Sequence, residues 1–279
     1  MTATPAIITL LTDFGLADPY VGAMKGALLS INPDARIVDI SHEVHPQQIE
    51  QAAFILDAAY PYFPPSAIHV AVVDPGVGTE RLTIVLSTPS GTFLGPDNGV
   101  LSTALSDELR EQAGEQSQPV ALPPGFAAYA LENEEFQRRP LSSTFHGRDI
   151  FGPAAAHLSL GIPCDRFGRQ VSEIVALPPF RAKLRPDGSL LGRVIHIDRF
   201  GNAITTIHRD QVTFDQPMFT VCGRRISGLA RAYAEGRGLM ALPGSTGFIE
   251  IAVAGGNAAV ELDARIGTDV EARPAKERR

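Results

Sequence analysis

The 279-residue sequence predicts an α/β protein, with an N-terminal α/β domain at residues 1–180 and a smaller, β-rich domain at residues 181–279. In the first two thirds, short β-branched runs alternate with helical patterns, the signature of strands and helices in layers. After Gly161 the character changes: Pro178, Pro179, Pro186 and Gly188 punctuate a linker, and strand-like alternation dominates beyond it. With 44% hydrophobic and 20% charged residues, the chain can bury one large core or two modest ones.

The elements follow in order. Ile7 to Leu11, Arg36 to Ile40, Ile68 to Val73 and Leu82 to Ser87 read as strands, and a short fifth strand runs into Gly95-Pro96. Asp18-Pro19 reads as an N-cap and first helical residue, opening a helix that stops near Asn32 and Pro33. Ile49, Ala52, Ala53, Leu56 and Ala59 or Tyr60 form one apolar face of a second helix, which Pro61 ends. The polar stretch from Asp107 to Arg139 reads as a surface excursion. Asp149 is expected to cap a helix with Pro153 in its first turn, which leaves His146 in the loop before it. Leu191 to Ile197 and Phe248 to Val253 are strands of the second domain, and the basic end, Ala275 to Arg279, is expected to fray.

Composition narrows the function. A net charge of −7 argues against a protein that grips phosphate backbones, so no nucleic-acid partner is expected. No run of about eighteen apolar residues marks a membrane span. Ala6 to Leu11 lacks a basic flank and reads as a strand rather than a signal peptide, so a cytoplasmic protein is expected. Cys164 and Cys222 are too far apart in sequence for a Cys-x-x-Cys site and are expected to be inert core thiols.

Unusual polar residues fall where strands end. Thr12-Asp13-Phe14-Gly15 follows the first strand, Asp74-Pro75-Gly76-Val77-Gly78 the third, and Gly95-Pro96-Asp97-Asn98-Gly99 the fifth. Any one of these is explained by turn chemistry alone. Three at the same end of one sheet, each with a carboxylate, point to a polar small-molecule pocket. Arg81 can fold back across a Gly-rich loop onto Asp74, as a surface ion pair or as part of a site. His146 before a helix N-terminus is a candidate general base. His42-Glu43-Val44-His45 lacks metalloprotease spacing, and both histidines are expected to face solvent. There is no dinucleotide fingerprint, phosphate loop or serine-hydrolase elbow.

Taken together, Thr-Asp-Phe-Gly at 12–15, Val-Asp-Pro-Gly-Val-Gly-Thr at 73–79, Gly-Pro-Asp-Asn-Gly at 95–99, Phe-His-Gly-Arg-Asp at 145–149 and Phe-Gly-Asn at 200–202 resemble the S-adenosyl-L-methionine (SAM) hydrolases. These are also called SAM hydroxide adenosyltransferases and are relatives of fluorinase and chlorinase. The resemblance implies a central, mostly parallel sheet in the first domain and a barrel-like second domain. It implies hydrolysis of SAM to adenosine and L-methionine, with SAM as substrate and no cofactor or metal. It also implies a homotrimer with sites between one subunit's N-terminal domain and its neighbour's C-terminal domain.

By the same resemblance, Asp74, Arg81 and His146 position and activate water, and Asp13 accepts from the ribose hydroxyls. A carboxylate paired with Arg81 is expected to orient water better than it deprotonates it, which makes His146 the preferred proton acceptor. Asp18 and Asp198 match positions that contact the methionine portion, Phe200 and Asn202 match adenine contacts, and Ser245 matches a methionine-carboxylate contact. Thr246 stands where halogenating relatives carry an arginine, and Asp74 where they carry a tyrosine. A carboxylate there would repel halide, so hydrolysis is favoured over a chlorinase-like halogenase. A SAM or adenosine sensor needs Asp13 and Asn202 but not the Asp-Arg-His set. A metal-dependent hydrolase built on Asp13, Asp74, Asp97 and His146 is the remaining rival, which a chelator separates.

Overall fold

The computed structural model describes residues 7–236 and 238–275. The chain divides into two compact units, Met1–Pro179 and Phe180–Arg279. The tail expected to fray lies, from residue 276, outside the described residues. No helix among the described residues is long and apolar enough to cross a membrane.

In chain order the first unit comprises β1 (Ile7–Thr12), α1 (Tyr20–Leu29), β2 (Arg36–Ser41), α2 (Ile49–Ala59), β3 (Ile68–Val72), β4 (Thr83–Thr88), β5 (Gly91–Pro96), α3 (Asp107–Arg110), β6 (Gln118–Ala121), β7 (Ala127–Ala130), α4 (Gly152–Ser159), β8 (Gln170–Val171) and β9 (Glu173–Ala176). Its main sheet has the order β2-β1-β3-β5-β4-β7-β8. It is mixed: β2, β1, β3 and β5 run parallel, while the pairings from β5 through β4 and β7 to β8 are antiparallel. β1 and β3 are buried almost throughout because helices cover both faces, which is why they read as continuous apolar runs. Leu11 faces the core that holds Ala52 and Leu56 of α2. Ile8 and Leu10 face the opposite core, with Met24 and Leu28 of α1 and Ala154 to Ala156 of α4. The loops after β1 and β3, which carry Asp13 and Asp74, therefore leave a rigid two-sided sandwich at the same end of parallel strands.

The second unit contains β10 (Lys183–Leu184), β11 (Leu190–Ile197), β12 (Ala203–His208), β13 (Pro217–Val221), β14 (Arg224–Ser227), β15 (Leu239–Pro243), β16 (Phe248–Val253), α5 (Ala258–Leu262) and β17 (Asp269–Pro274). Its antiparallel sheet has the order β14-β13-β17-β11-β12-β16-β15, with β10 beside β11. The end strands β14 and β15 lie against each other, so the sheet curls into a nearly closed barrel. β13 alternates buried and half-exposed residues, and Phe219, Val221, Ile249, Ile251 and Leu262 of α5 fill the interior.

Several local expectations are corrected. Pro19, not Asp18, occupies the N-cap of α1, and no side chain caps that helix. Residues 107–139 are more than an excursion, since β7 pairs with β4 in the main sheet and β6 pairs with β9. Their short strands carry too few residues for a period to show. A five-residue π-helical turn, Gly147–Phe151, runs directly into α4, so His146 is the residue at its N-terminus rather than one in a preceding loop. Asp149 lies inside that turn. Cys164 is half-buried and Cys222 exposed, and both are unpaired. His42 is buried, while His45 is exposed.

The core also contains a histidine. His69 sits on β3 beside Thr9 of β1, its Nδ1 2.8 Å from the Thr9 hydroxyl, and its ring stacks on Phe93 at 5.0 Å between centroids. Nε2 has no partner. Burial lowers its pKa from 6.5 to about 4. As pH falls through this window the unfolded chain takes up a proton that the folded chain refuses, so stability is lost on acidification, by up to about 3 kcal/mol. His69→Leu should reduce the dependence of unfolding free energy on pH between 6.5 and about 4 by close to one proton, whatever its effect at neutral pH. Urea denaturation across that range measures the slope, and an unchanged slope would show that His69 is not the group responsible.

Candidate active site

Asp74 stands two residues beyond the end of β3, and its position is set from behind: the Asn98 side-chain amide donates to the Val73 carbonyl at 2.9 Å. The chain then turns through Val77 N–H to Asp74 C=O at 3.2 Å and Thr79 N–H to Gly76 C=O at 3.1 Å. This turn returns Arg81 to Asp74. The Arg81 guanidinium donates from Nε to Oδ1 at 2.9 Å and from Nη2 to Oδ2, a two-point grip on a carboxylate whose side chain is only 6% exposed. The same Nη2 donates to His146 Nδ1 at 2.8 Å.

That last bond decides what His146 offers. A nitrogen accepting from Arg81 carries no hydrogen, so the neutral ring keeps its hydrogen on Nε2 and is a donor there. The pKa of His146 is lowered by burial and by the positive charge of Arg81, against the opposing pull of Asp74 and Asp149. Asp149, wholly buried, pins the segment that carries His146: it accepts from Ser142 N–H at 2.9 Å and from Arg148 Nε and Nη2 at 2.7 and 2.8 Å. Burial opposes ionisation of Asp149, and the Arg148 and Ser142 bonds outweigh it, holding its pKa below the ordinary value.

Asp13 closes the other side of the same cleft, which has a volume of about 260 Å³ and is lined also by Phe14, Gln47, Val77, Phe145 and His146. Its Oδ2 accepts from Gln47 N–H at 2.8 Å. Burial, with the nearby charge of Asp74, raises the Asp13 pKa despite that bond. Phe14, Tyr20 and Phe145 meet edge to face, with centroids 5.4 to 6.3 Å apart, and form an aromatic wall beside the acids. An apolar wall beside acceptor-only carboxylates suits a flat, hydroxyl-bearing, cationic ligand.

The second unit holds a separate cleft of about 760 Å³. Asp198, Phe200, Asn202 and Ser245 all line it, together with Arg231, Tyr233 and Glu250. Asp198 and Asn202 bracket a tight turn between β11 and β12. Asp198 Oδ1 accepts from the N–H groups of Phe200 and Asn202, each at 2.9 Å, and Oδ2 from the Asn202 amide at 2.9 Å. Gly201 has a φ of +84°, and a Cβ there would lie 2.1 Å from Asn257, so only glycine fits. Phe200 is left 76% exposed. Tyr233 donates to Glu250 Oε2 at 2.8 Å; burial and that bond push its hydroxyl up to about 12.

The structure thus brings Asp13, Asp74, Arg81 and His146 together in the first unit, and Asp198, Phe200, Asn202 and Ser245 together in the second. Asp18 is exposed and does not line the first cleft. Asp97 does not line it either: its carboxylate accepts from Val175 N–H at 2.7 Å, so the Gly-Pro-Asp-Asn-Gly turn is support for the site rather than part of it. Gln47, Arg231, Tyr233 and Glu250 are lining residues that the sequence does not single out, and Phe145 enters there only as part of the Phe-His-Gly-Arg-Asp motif. Gln47 had a signal only in being next to Pro46, and Tyr233 and Glu250 had none. Among the described residues, no group of three or more His, Cys, Asp or Glu side chains is placed to hold a metal ion.

An ionised acid, a guanidinium and an imidazole in hydrogen-bond sequence at the carboxyl end of an α/β sheet define a small-molecule enzyme site that orders a polar reactant. Residues 8–168 match the SAM hydroxide adenosyltransferase N-terminal domain and residues 192–271 its C-terminal domain. The chain belongs to the SAM hydroxide adenosyltransferase family. A relative from Methanocaldococcus jannaschii named (R)-S-adenosyl-L-methionine hydrolase is 40% identical over 262 residues, covering 88% of this chain and 87% of its own. A fluorinase from Actinopolyspora mzabensis is 30% identical over 233 residues, covering 74% and 73%. The crystal structure of an uncharacterized conserved protein from Thermotoga maritima superposes with a TM-score of 0.81 at 36% identity, covering 95% of this chain and 99% of that one.

The segment before His146 rests on the loop after Asp74 at Gly78. Gly78 has a φ of +78°, and a Cβ there would lie 2.4 Å from the Ser143 carbonyl oxygen. Gly78→Ala must therefore strain its own backbone and push the His146 segment away. Turnover should fall by about tenfold or more, since an ångström of misplacement costs that much or more. Steady-state kinetics beside a thermal melt checks this, and a variant with wild-type turnover would mean that the contact does not set the site.

Proposed function

We propose that the protein hydrolyses SAM to adenosine and L-methionine, by attack of an ordered water on the ribose C5′. The observation that carries this is the Arg81 guanidinium shared between Asp74 and His146, both of which line the cleft that also contains Asp13. The C5′–oxygen bond forms as the C5′–sulfur bond breaks, and the sulfonium takes the bonding pair to leave as a neutral thioether, so no acid is required for the leaving group. Asp74, an acceptor, and His146, a donor through Nε2–H, orient the water from opposite polarities. Its proton is lost to Asp74 as the new bond forms, when the attacking oxygen becomes strongly acidic and a weak base suffices. This reading replaces His146 as proton acceptor, because Arg81 already occupies Nδ1.

Asp13 is assigned to the ribose hydroxyls, Phe200 and Asn202 to the adenine, and Asp198 and Ser245 to the methionine end. Asp18 is assigned to the methionine end from outside the first cleft. For the methionine carboxylate, Arg231 replaces the arginine missing at Thr246, being the one cation among the described residues lining the second cleft. Chloride or fluoride transfer is disfavoured by the Asp74 carboxylate. The proposal calls for no cofactor, and the unpaired cysteines fit a cytoplasmic location. The (R) sulfonium epimer, specified in the relative's name, is proposed as the form consumed. The decisive assay incubates the protein with SAM enriched in either epimer, with and without chelator and chloride, and measures adenosine. Release of 5′-chloroadenosine, or no nucleoside at all, would reject hydrolysis.

Asp74→Asn, Arg81→Ala and His146→Ala should each lower kcat by about a hundredfold or more, on the scale of groups that address the reacting atoms. In the wild type, protonating His146 removes the acceptor for Arg81, so activity should fall as pH drops through its pKa. That acid limb should have its midpoint below 6.5, the unperturbed value. A midpoint at or above 6.5 in a kcat profile would remove His146 as the titrating group.

The two clefts carry complementary parts of one substrate's needs, and we assign them to different copies in a homotrimer. Asp13→Ala and Asn202→Ala are then each inactive alone, yet co-refolded chains regain activity where an intact first unit meets an intact second unit of another copy. Mixed trimers confirmed by native mass spectrometry but lacking activity would show that each site is built within one chain.

A further inference from the structure

We propose that His42, which lines neither cleft, is a positioning residue that holds the Asp13 turn for binding the ribose; this rests on the functional reading above. His42 follows the edge strand β2 and is 4% exposed. It holds the turn at two points. Its Nδ1 lies 2.8 Å from the hydroxyl of Thr12, itself wholly buried, and its backbone carbonyl accepts from Gly15 N–H at 2.7 Å. Those residues bracket Asp13 and Phe14. The Thr12 hydroxyl also accepts from Phe14 N–H at 3.2 Å, so one oxygen ties the turn internally and to His42.

The surroundings set the direction of this chain. His42 Nε2 lies 3.1 Å from Asp39 Oδ1, within ion-pair reach though not in a well-formed hydrogen bond. Asp39 is gripped by Lys25 Nζ at 2.5 Å. A carboxylate beside Nε2 favours the hydrogen there, which leaves Nδ1 to accept from the Thr12 hydroxyl. The same loop supplies the Gln47 N–H that Asp13 accepts, and Gln47 pays for it with a φ of +65°. A non-glycine residue in that region is retained where the surroundings over-determine it, and His42 anchors the start of the loop that imposes it. The groups around His42 thus form one polar chain, running from Lys25 and Asp39 at the surface through the buried His42 and Thr12 to the turn that carries Asp13.

The test is adenosine affinity by calorimetry, together with kcat and KM for SAM. His42→Leu and Thr12→Val each remove the hydroxyl-to-ring bond, whereas His42→Asn returns an acceptor near the position of Nδ1. The expected result is that both of the first two weaken adenosine binding and raise KM about three- to tenfold, the worth of one hydrogen bond, with a smaller change in kcat. His42→Asn recovers most of the affinity, and the Thr12→Val/His42→Leu double variant is no worse than the weaker single. If His42→Leu does not fold, Thr12→Val against His42→Asn carries the comparison. Unchanged affinity, additive effects in the double variant, or equal losses in kcat and kcat/KM would overturn the role of His42. Failure of the wild type to bind adenosine would instead overturn the functional reading on which it stands.

Discussion

The site depends on one guanidinium. Arg81 is planar and forked, so it can hold a carboxylate at two points and still direct a hydrogen to an imidazole, which a lysine cannot do. Taking Asp74 and Arg81 out of water is costly, and the two-point contact offsets that cost only while the geometry holds. That is why so much of the first unit fixes geometry. Asn98 holds the peptide before Asp74, Asp149 holds the segment before His146, and Gly78 lets the two loops touch. The sheet between its two cores supplies a platform on which such small tolerances persist.

The second unit solves a different problem. Its cleft is wider, and most of its polar atoms are already engaged with one another: Asp198 with Asn202, and Tyr233 with Glu250. Because Asp198 can only accept, the Asn202 amide must turn its nitrogen toward it, which leaves the Asn202 carbonyl oxygen for a ligand. An acceptor oxygen beside an exposed phenyl ring suits a flat base bearing an amino group. The first unit concentrates charge at its cleft; the second offers shape and a few oriented dipoles.

The sequence made the layered first unit and the strand-rich second unit legible because β1, β3, β11 and β16 carry readable apolar patterns. Asp13, Asp74, Arg81 and His146 were legible because turn residues stood where parallel strands end. Other features left no local signal. β7 and β8 are too short to show a period, yet complete the sheet. The π-helical turn at His146 depends on Asp149 bonding back to Ser142, a tertiary contact. Asp97 and Asn98 looked like site residues because support for a turn and chemistry at a turn use the same residue types. His42 was misjudged for the converse reason: a histidine in a polar run reads as exposed unless one knows that Thr12 is waiting for it in the core.

Asp39, His42 and Thr12 also bear on why the parallel half of the sheet carries the two acids of the first cleft. In a parallel pair, neighbouring strands end side by side, so the loop after β2 lies against the turn after β1 and can brace it with side chains and backbone together. At the antiparallel β5–β4 boundary it is the start of β4 that lies beside the end of β5, and there Asp97 N–H donates to the Leu82 carbonyl at 2.9 Å. Asp13 and Asp74 stand just beyond β1 and β3, each of which has a parallel neighbour on both sides. β4 enters the sheet at that same end directly after Arg81 and Leu82, whereas β7 and β8 widen the sheet and help bury its cores without lining the first cleft. The parallel strands thus deliver the two acids and the first antiparallel strand the guanidinium that grips one of them, because the start of β4 lies at the same end of the sheet as the ends of β1, β3 and β5.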